Sequence, residues 1–368
     1  MTEAKETRIL YLDAARSFAI VMVALNHAVN RTWVNYGEVA AEFRRLGLPS
    51  VWLKALLTVA SHLGVPLFLM ITGALILSRP FETREEFRLF FRGNWLALLL
   101  TSEIWFFLGY WAHVLASPGM LQTKGLDALL FGCVKTLLFI DQLRFDSMWY
   151  VPMILSIYVM LPILAVFLHR APSPRVIPIP MAAVFCAGML VPALNVYRRL
   201  LGSESLSFSI YSSNFFSLYL LYVIAGWQIA GGGMKRLPDA AVWAGAALSF
   251  LLCVLLQFFC YSRSAHLIAY ESPGILLVSV FLFECFRRFS GCLRRFARPL
   301  AAVSRAAFAL YLVHVFFLLA LSRCMSFSGW PHTAKVLFLT LVPLAASGLF
   351  IRLLSHIPWC KKRLFLIK

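Results

Sequence analysis

Apolar residues run along this chain in blocks separated by short polar loops, and most blocks approach the roughly 20 residues that a helix needs to cross a bilayer. Ten such blocks are legible, at 10–33, 53–77, 95–115, 149–168, 176–196, 215–230, 240–261, 266–286, 300–321 and 336–354. They predict an all-α, polytopic integral membrane bundle of about ten helices, organised as a single membrane-embedded domain over 1–368. An even number of crossings puts both termini on one side. The first block is too long, and too interrupted by Asp13 and Arg16, for a cleavable signal, so it is expected to stay in the mature protein.

Polar residues inside these blocks carry the functional reading. Arg16 and His27 are eleven residues apart in the first block. Eleven steps of about 100° return to within about 20° of the starting direction, so both side chains share one helix face, roughly 16 Å apart along the axis. A cation and an imidazole on one inward face are expensive in lipid and mark a candidate site. The plainer alternative is an ion pair between Asp13 and Arg16, with His27 satisfied in a helix contact. Asn26 and Asn30 extend the polar cluster around His27.

A second polar island lies in the ninth block. Ser304 precedes His314 by ten residues and Tyr311 precedes it by three, again on one face. These groups either hold a substrate or bridge two helices. Glu103 is a candidate intramembrane carboxylate, whereas Glu284 lies near Arg287 and Arg288 and can simply pair with them. Pro66, Gly73, Pro152, Pro162, Pro273 and Gly274 interrupt the blocks and fit helices bent around a polar cavity. Between the third and fourth blocks, 126–140 is too short and polar for a further span; it reads as an interfacial or re-entrant helix able to roof an outward-opening site.

Composition agrees with the blocks: 61% hydrophobic residues, 14% charged and a mean hydropathy of +0.80 exclude a soluble globule. The formal charge of +18 is divided among loops and forms no single basic stripe, which argues against nucleic acid. With a cytoplasmic N-terminus, twenty Lys and Arg fall on the inner side and twelve on the outer, the orientation favoured by the positive-inside bias. The eight cysteines include no Cys-x-x-Cys pair and suggest neither a zinc site nor a disulfide framework.

Four ordered blocks of sequence, Asp13-x-x-Arg16 with His27, Gly64 to Gly73, Met148 to Pro162 and Ser304 to His314, resemble the membrane acyltransferase-3 family over nearly the whole chain. The resemblance is closest to its short branch, surface-polysaccharide O-acyltransferases without an extracytoplasmic esterase-like domain. It implies a multi-pass protein of the bacterial inner membrane, a cytoplasmic acyl-CoA donor with acetyl as the expected group, an envelope glycan or lipid-linked sugar as acceptor, and catalysis at His27. Two departures stand out. The family's Arg-x-x-Arg before the third helix is missing, since Arg84, Arg88 and Arg92 are spaced by four and Trp95 follows Arg92. The family's Ser-Gly in the second helix is Thr72-Gly73, which keeps the hydroxyl.

Elementary chemistry suits the same roles. Transfer from a thioester to a sugar hydroxyl needs proximity, a base and oxyanion stabilisation, and a neutral His27 can be the base, with Asp13 and His314 as further catalytic candidates. Arg16, Arg88 and Arg92 are the candidates for CoA phosphates, because a guanidinium matches phosphate geometry. Asn26, Asn30, Glu103, Trp149, Tyr158, Ser304 and Tyr311 are the candidates for substrate contact, and the chemistry requires no metal. The rival function is a transporter or flippase for a polysaccharide or lipid-linked sugar.

Overall fold

The computed structural model describes residues 2–33, 47–140, 146–171, 177–203, 215–261, 263 and 267–367, and these are helical with no strand among them. Fifteen α-helices run in order. They are α1 (Thr2–Thr32), α2 (Leu48–Ser61), α3 (Gly64–Ile76), α4 (Arg84–Phe90), α5 (Leu96–Leu115), α6 (Pro118–Thr123), α7 (Leu126–Leu137) and α8 (Tyr150–Arg170). After them come α9 (Pro178–Phe185), α10 (Val191–Leu200), α11 (Phe215–Ala230), α12 (Asp239–Tyr261), α13 (Pro273–Phe289), α14 (Ala297–Cys324) and α15 (His332–Leu354).

Among the described residues seven helical stretches are long and apolar enough to cross a membrane, so the chain is a polytopic membrane bundle. The difference from ten expected spans has visible causes. Within the described residues the block at 215–230 contributes an apolar helix, Leu218–Ala230. That at 176–196 becomes α9 and α10 joined by a π-turn, Cys186–Leu190. The blocks at 266–286 and 300–321 belong to one stretch, Pro273–Cys324. That stretch nevertheless makes two passes along α1. Tyr270, just before α13, lies against His62, whose neighbour Ser61 bonds Asn26, while Phe286 near the end of α13 lies against Phe18. A 3₁₀ turn, Ser290–Phe296, then reverses the chain, Leu300 meets Ser17, and α14 climbs to bring His314 beside His27.

Helix α1 sits centrally because small residues let its neighbours approach: Ala15, Ala19 and Ala28 are fully buried, and α2, α3, α13, α14 and α15 all pack on it. The second expected span is two helices, broken at His62 and Leu63, with Pro66 tolerated in the first turn of α3. Gly73 does not bend α3. A Cβ there would run into the main-chain carbonyl of Val223, so Gly73 permits backbone contact with α11, as Gly226 does opposite Met70.

Two local devices shape the region below. A capping box starts α4: the Thr83 hydroxyl accepts from the Glu86 amide at 3.3 Å, and the Glu86 carboxylate accepts from the Thr83 amide at 3.0 Å. A π-turn, Phe91–Trp95, joins α4 to α5, and the Trp95 indole donates to the Leu155 carbonyl of α8 at 3.1 Å. Helix α7 packs on α5 through Leu129 and Cys133 and exposes Leu126, Leu130 and Phe131. It is an amphipathic flanking helix and takes no part in the walls of the cavity described next.

Candidate active site

Helices α1 and α14 run parallel and in register, so the two polar faces read from the sequence meet. At one level Arg16 Nη1 donates to Ser304 Oγ at 3.0 Å, with Ser17 Oγ donating to the Leu300 carbonyl, also at 3.0 Å. About three turns on, the rings of His27 and His314 lie 5.4 Å apart. The ion pair between Asp13 and Arg16 that formed the plainer alternative is not present among the described residues; Arg16 is turned to Ser304, with Asp13 and Tyr158 in electrostatic range. The side chain of His314 is buried, and its Nδ1 lies 2.9 Å from the Leu310 carbonyl. A carbonyl only accepts, so Nδ1 carries the proton and Nε2 of the neutral ring is a bare acceptor. Buried Nε2 has no hydrogen-bond partner among the described residues.

A cavity of about 840 Å³ lies beside Arg16 and Ser304. Its wall runs from Val23 and Tyr311, one turn short of His27 and His314, past Arg16 and Ser304 to Gly93 and Asn94 of the π-turn. Tyr150 and Tyr158 face it from α8, the Tyr150 ring 5.6 Å from Tyr311, and Tyr158 reaches Thr72 while facing Arg16 and Arg79. The cavity is strongly basic. Arg16, Arg79, Arg305, Lys361, Lys362 and Arg363 line it, and no carboxylate among the described residues does. Apolar walls with a single sign of charge focus the field on an anion.

A separate polar cluster lies around Asn26. Asn26 Nδ2 donates to Ser61 Oγ at 3.2 Å and sits 3.3 Å from His62 Nδ1, and Asn30 Nδ2 donates to Asn26 Oδ1 at 3.2 Å. The His62 ring lies 5.0 Å from Tyr270, and Trp149 lies 5.4 Å from the same ring and 6.0 Å from Tyr219. Tyr222 donates to the Tyr270 carbonyl at 2.6 Å. Trp149, a candidate from the sequence, therefore groups with Asn26 and His62 and not with the basic cavity.

Other expected residues lie elsewhere. Arg88 is exposed on α4, 3.8 Å from Glu85, and Arg92 is exposed on the π-turn; neither lines the cavity. Glu103 is half-buried on α5 between cavity residues Thr101 and Ile104 without joining the wall. Glu284 pairs with Arg287 and Arg288, the outcome anticipated from their spacing. Sequence reasoning passed over Arg79, Lys361, Lys362 and Arg363 as loop charges. Arg305 carried a usable signal, since it stands inside an apolar helix beside Ser304, under the same rule that singled out Arg16.

The fold is a membrane bundle with a basic cavity that ends one turn from the facing rings of His27 and His314. The chain belongs to the acyltransferase 3 family: the family model described as an acyltransferase domain matches residues 9–352. The protein is thus a membrane-bound acyltransferase. No curated protein and no solved structure matches the chain.

Proposed function

We propose that this protein is a membrane O-acyltransferase that takes an acyl group, acetyl by family resemblance, from cytoplasmic acyl-CoA to a hydroxyl of an envelope glycan or lipid-linked sugar. The observation that carries this reading is the cavity itself, whose wall carries six cations and includes Val23 and Tyr311, one turn from His27 and His314. CoA phosphates suit the basic wall. From Arg16 to His27 is roughly 16 Å along α1, a distance a pantetheine arm can cover.

In the proposed step the acceptor hydroxyl gives its proton to His27 as its oxygen bonds to the thioester carbonyl carbon. The carbon–sulfur bond then breaks, and CoA leaves as the thiol with the proton from His27. His314 positions His27 through the face its bare Nε2 offers. Tyr150 and Tyr311, at the inner end of the cavity, are placed to donate to the oxyanion. The cluster of Asn26, His62, Trp149 and Tyr270 offers aromatic rings and hydrogen-bonding groups suited to a sugar acceptor.

Membranes holding the protein, incubated with radiolabelled acetyl-CoA, test the reading. Label in the envelope glycan fraction that disappears with His27→Ala is expected. Absence of label with wild-type protein that is folded and supplied with acceptor would favour a carrier.

A further inference from the structure

The family match ends at residue 352, yet the chain beyond it builds one wall of the cavity. A π-turn, Cys360–Leu364, follows α15 and is tied to α5 by its main chain. Thr101 Oγ1 donates to the Arg363 carbonyl at 2.7 Å, and Trp105 Nε1 donates to the Leu364 carbonyl at 2.9 Å. Phe365, 1% exposed, lies against Trp105 and Phe350 with ring centroids 6.4 and 6.3 Å away. Anchoring through carbonyls leaves the side chains of the turn unused. Lys361, Lys362 and Arg363 enter the cavity wall, and no carboxylate pairs with them among the described residues. Like charges gathered in one wall repel each other, and an anion with several oxygens relieves that repulsion.

We propose that this C-terminal turn is the phosphate grip of the donor site, in which Lys361, Lys362 and Arg363 hold the phosphorylated adenosine end of acyl-CoA. The assignment rests on the acyl-CoA reading given above. It places the most highly charged end of the donor on the cavity wall built by the C-terminal turn, and leaves Arg16, beside Ser304, to another part of the donor. A polyphosphorylated ligand engages all three cations, whereas a donor lacking the 3′-phosphate leaves part of the grip unused.

Isothermal titration of the purified full chain in neutral detergent, with acetyl-CoA and with 3′-dephospho-acetyl-CoA, tests this. Wild type is expected to prefer acetyl-CoA by about tenfold or more, and the variant combining Lys361→Ala, Lys362→Ala and Arg363→Ala to lose about tenfold in affinity and bind both donors equally. The variant Lys361→Arg with Lys362→Arg keeps the charge and should retain the preference. If the triple alanine variant binds acetyl-CoA like wild type while Arg16→Ala weakens it, the grip is wrong and the donor reading stands. If folded wild type binds neither donor, both fall. The same anionic chemistry exists in lipid headgroups, so the titration is repeated with added phosphatidylglycerol. An effect of the triple variant seen only with that lipid present would assign the turn to the bilayer and overturn the proposal.

Discussion

His27 and His314 face each other across α1 and α14 with ring centroids 5.4 Å apart and planes inclined by 39°. The pair exists because Arg16 and Ser304 set the register three turns away, and two parallel helices hold that register over the intervening residues. His27→Ala is expected to lower acyl transfer by about 10²- to 10⁴-fold, the range for loss of a positioned base, with the melting temperature in detergent unchanged. His314→Ala should cost less, because His314 acts through His27. Label incorporation by the two variants, compared at equal amounts of folded protein, checks both, and the reverse order of damage would move the base to His314.

Among the described residues, Arg16 is the one cavity cation hydrogen-bonded within the helix pair that also carries the histidines. Arg16→Ala should raise KM for acyl-CoA by about tenfold or more while acceptor KM changes little, since the proposed function turns its charge to the donor. Ser304→Ala removes only the hydroxyl partner and should have a smaller effect of the same kind. Equal loss toward donor and acceptor in Arg16→Ala would instead make the contact with Ser304 a structural strut.

The helical periodicity of α1 and α14 was legible because it depends only on residue spacing: Arg16 with His27, and Ser304 with His314, fall on single faces whatever surrounds them. Which helix those faces would meet was not legible. The same limit explains the cations. Arg79 and Lys361 to Arg363 look like loop charges until tertiary contacts, such as Thr101 on the Arg363 carbonyl, fold their segments over the cavity. Gly73 read as a helix breaker because a glycine's effect on its own helix is local. Its use here is a contact with Val223 that no local pattern encodes.

Gly73→Ala and Gly226→Ala are expected to destabilise the bundle, since each added methyl meets main-chain atoms of the facing helix, which cannot rotate away. A loss of about 1–3 kcal/mol is the usual range for such overpacking. Thermal unfolding in detergent reads it, and the double variant should be less than additive because both glycines relieve one interface, α3 on α11. Wild-type melting in both variants would mean that the two helices have room to separate.

Glu271, in the connection before α13, has its carboxyl held above the ordinary carboxylate range by burial, with the Tyr219 hydroxyl 3.5 Å from Oε1. The folded state then binds this proton more tightly than the unfolded chain, whose carboxyl titrates near about 4.3. Its contribution to stability is complete below that ordinary value and is lost as pH rises through the raised folded one. Melting temperature should fall over that window in wild type, and Glu271→Gln should flatten the curve. A variant as steep as wild type would assign the slope to other groups.

Glu284 is the fully buried centre of an ionic network, with Arg287 Nε at 2.7 Å and Arg288 Nε at 2.5 Å, and Arg288 continues to Asp239 at 2.6 Å and to the carbonyls of Met234 and Leu237. This network ties α13 to the start of α12, just before the 3₁₀ turn that sends α14 back along α1. Glu284→Gln keeps the shape of the side chain but removes the charge, leaving two guanidinium groups facing each other without it. Breaking a buried pair from one side costs about 3–5 kcal/mol, and the partial exposure of both arginines places this case near the lower figure. The expected result is a lower melting temperature, with acyl-CoA affinity retained in the fraction that remains folded because the network lies outside the cavity wall. Glu284→Asp should recover part of the stability. If Glu284→Gln were instead stable but unable to bind acyl-CoA, the carboxylate would have to act on the donor site, through the turn that sets the register of Ser304 against Arg16.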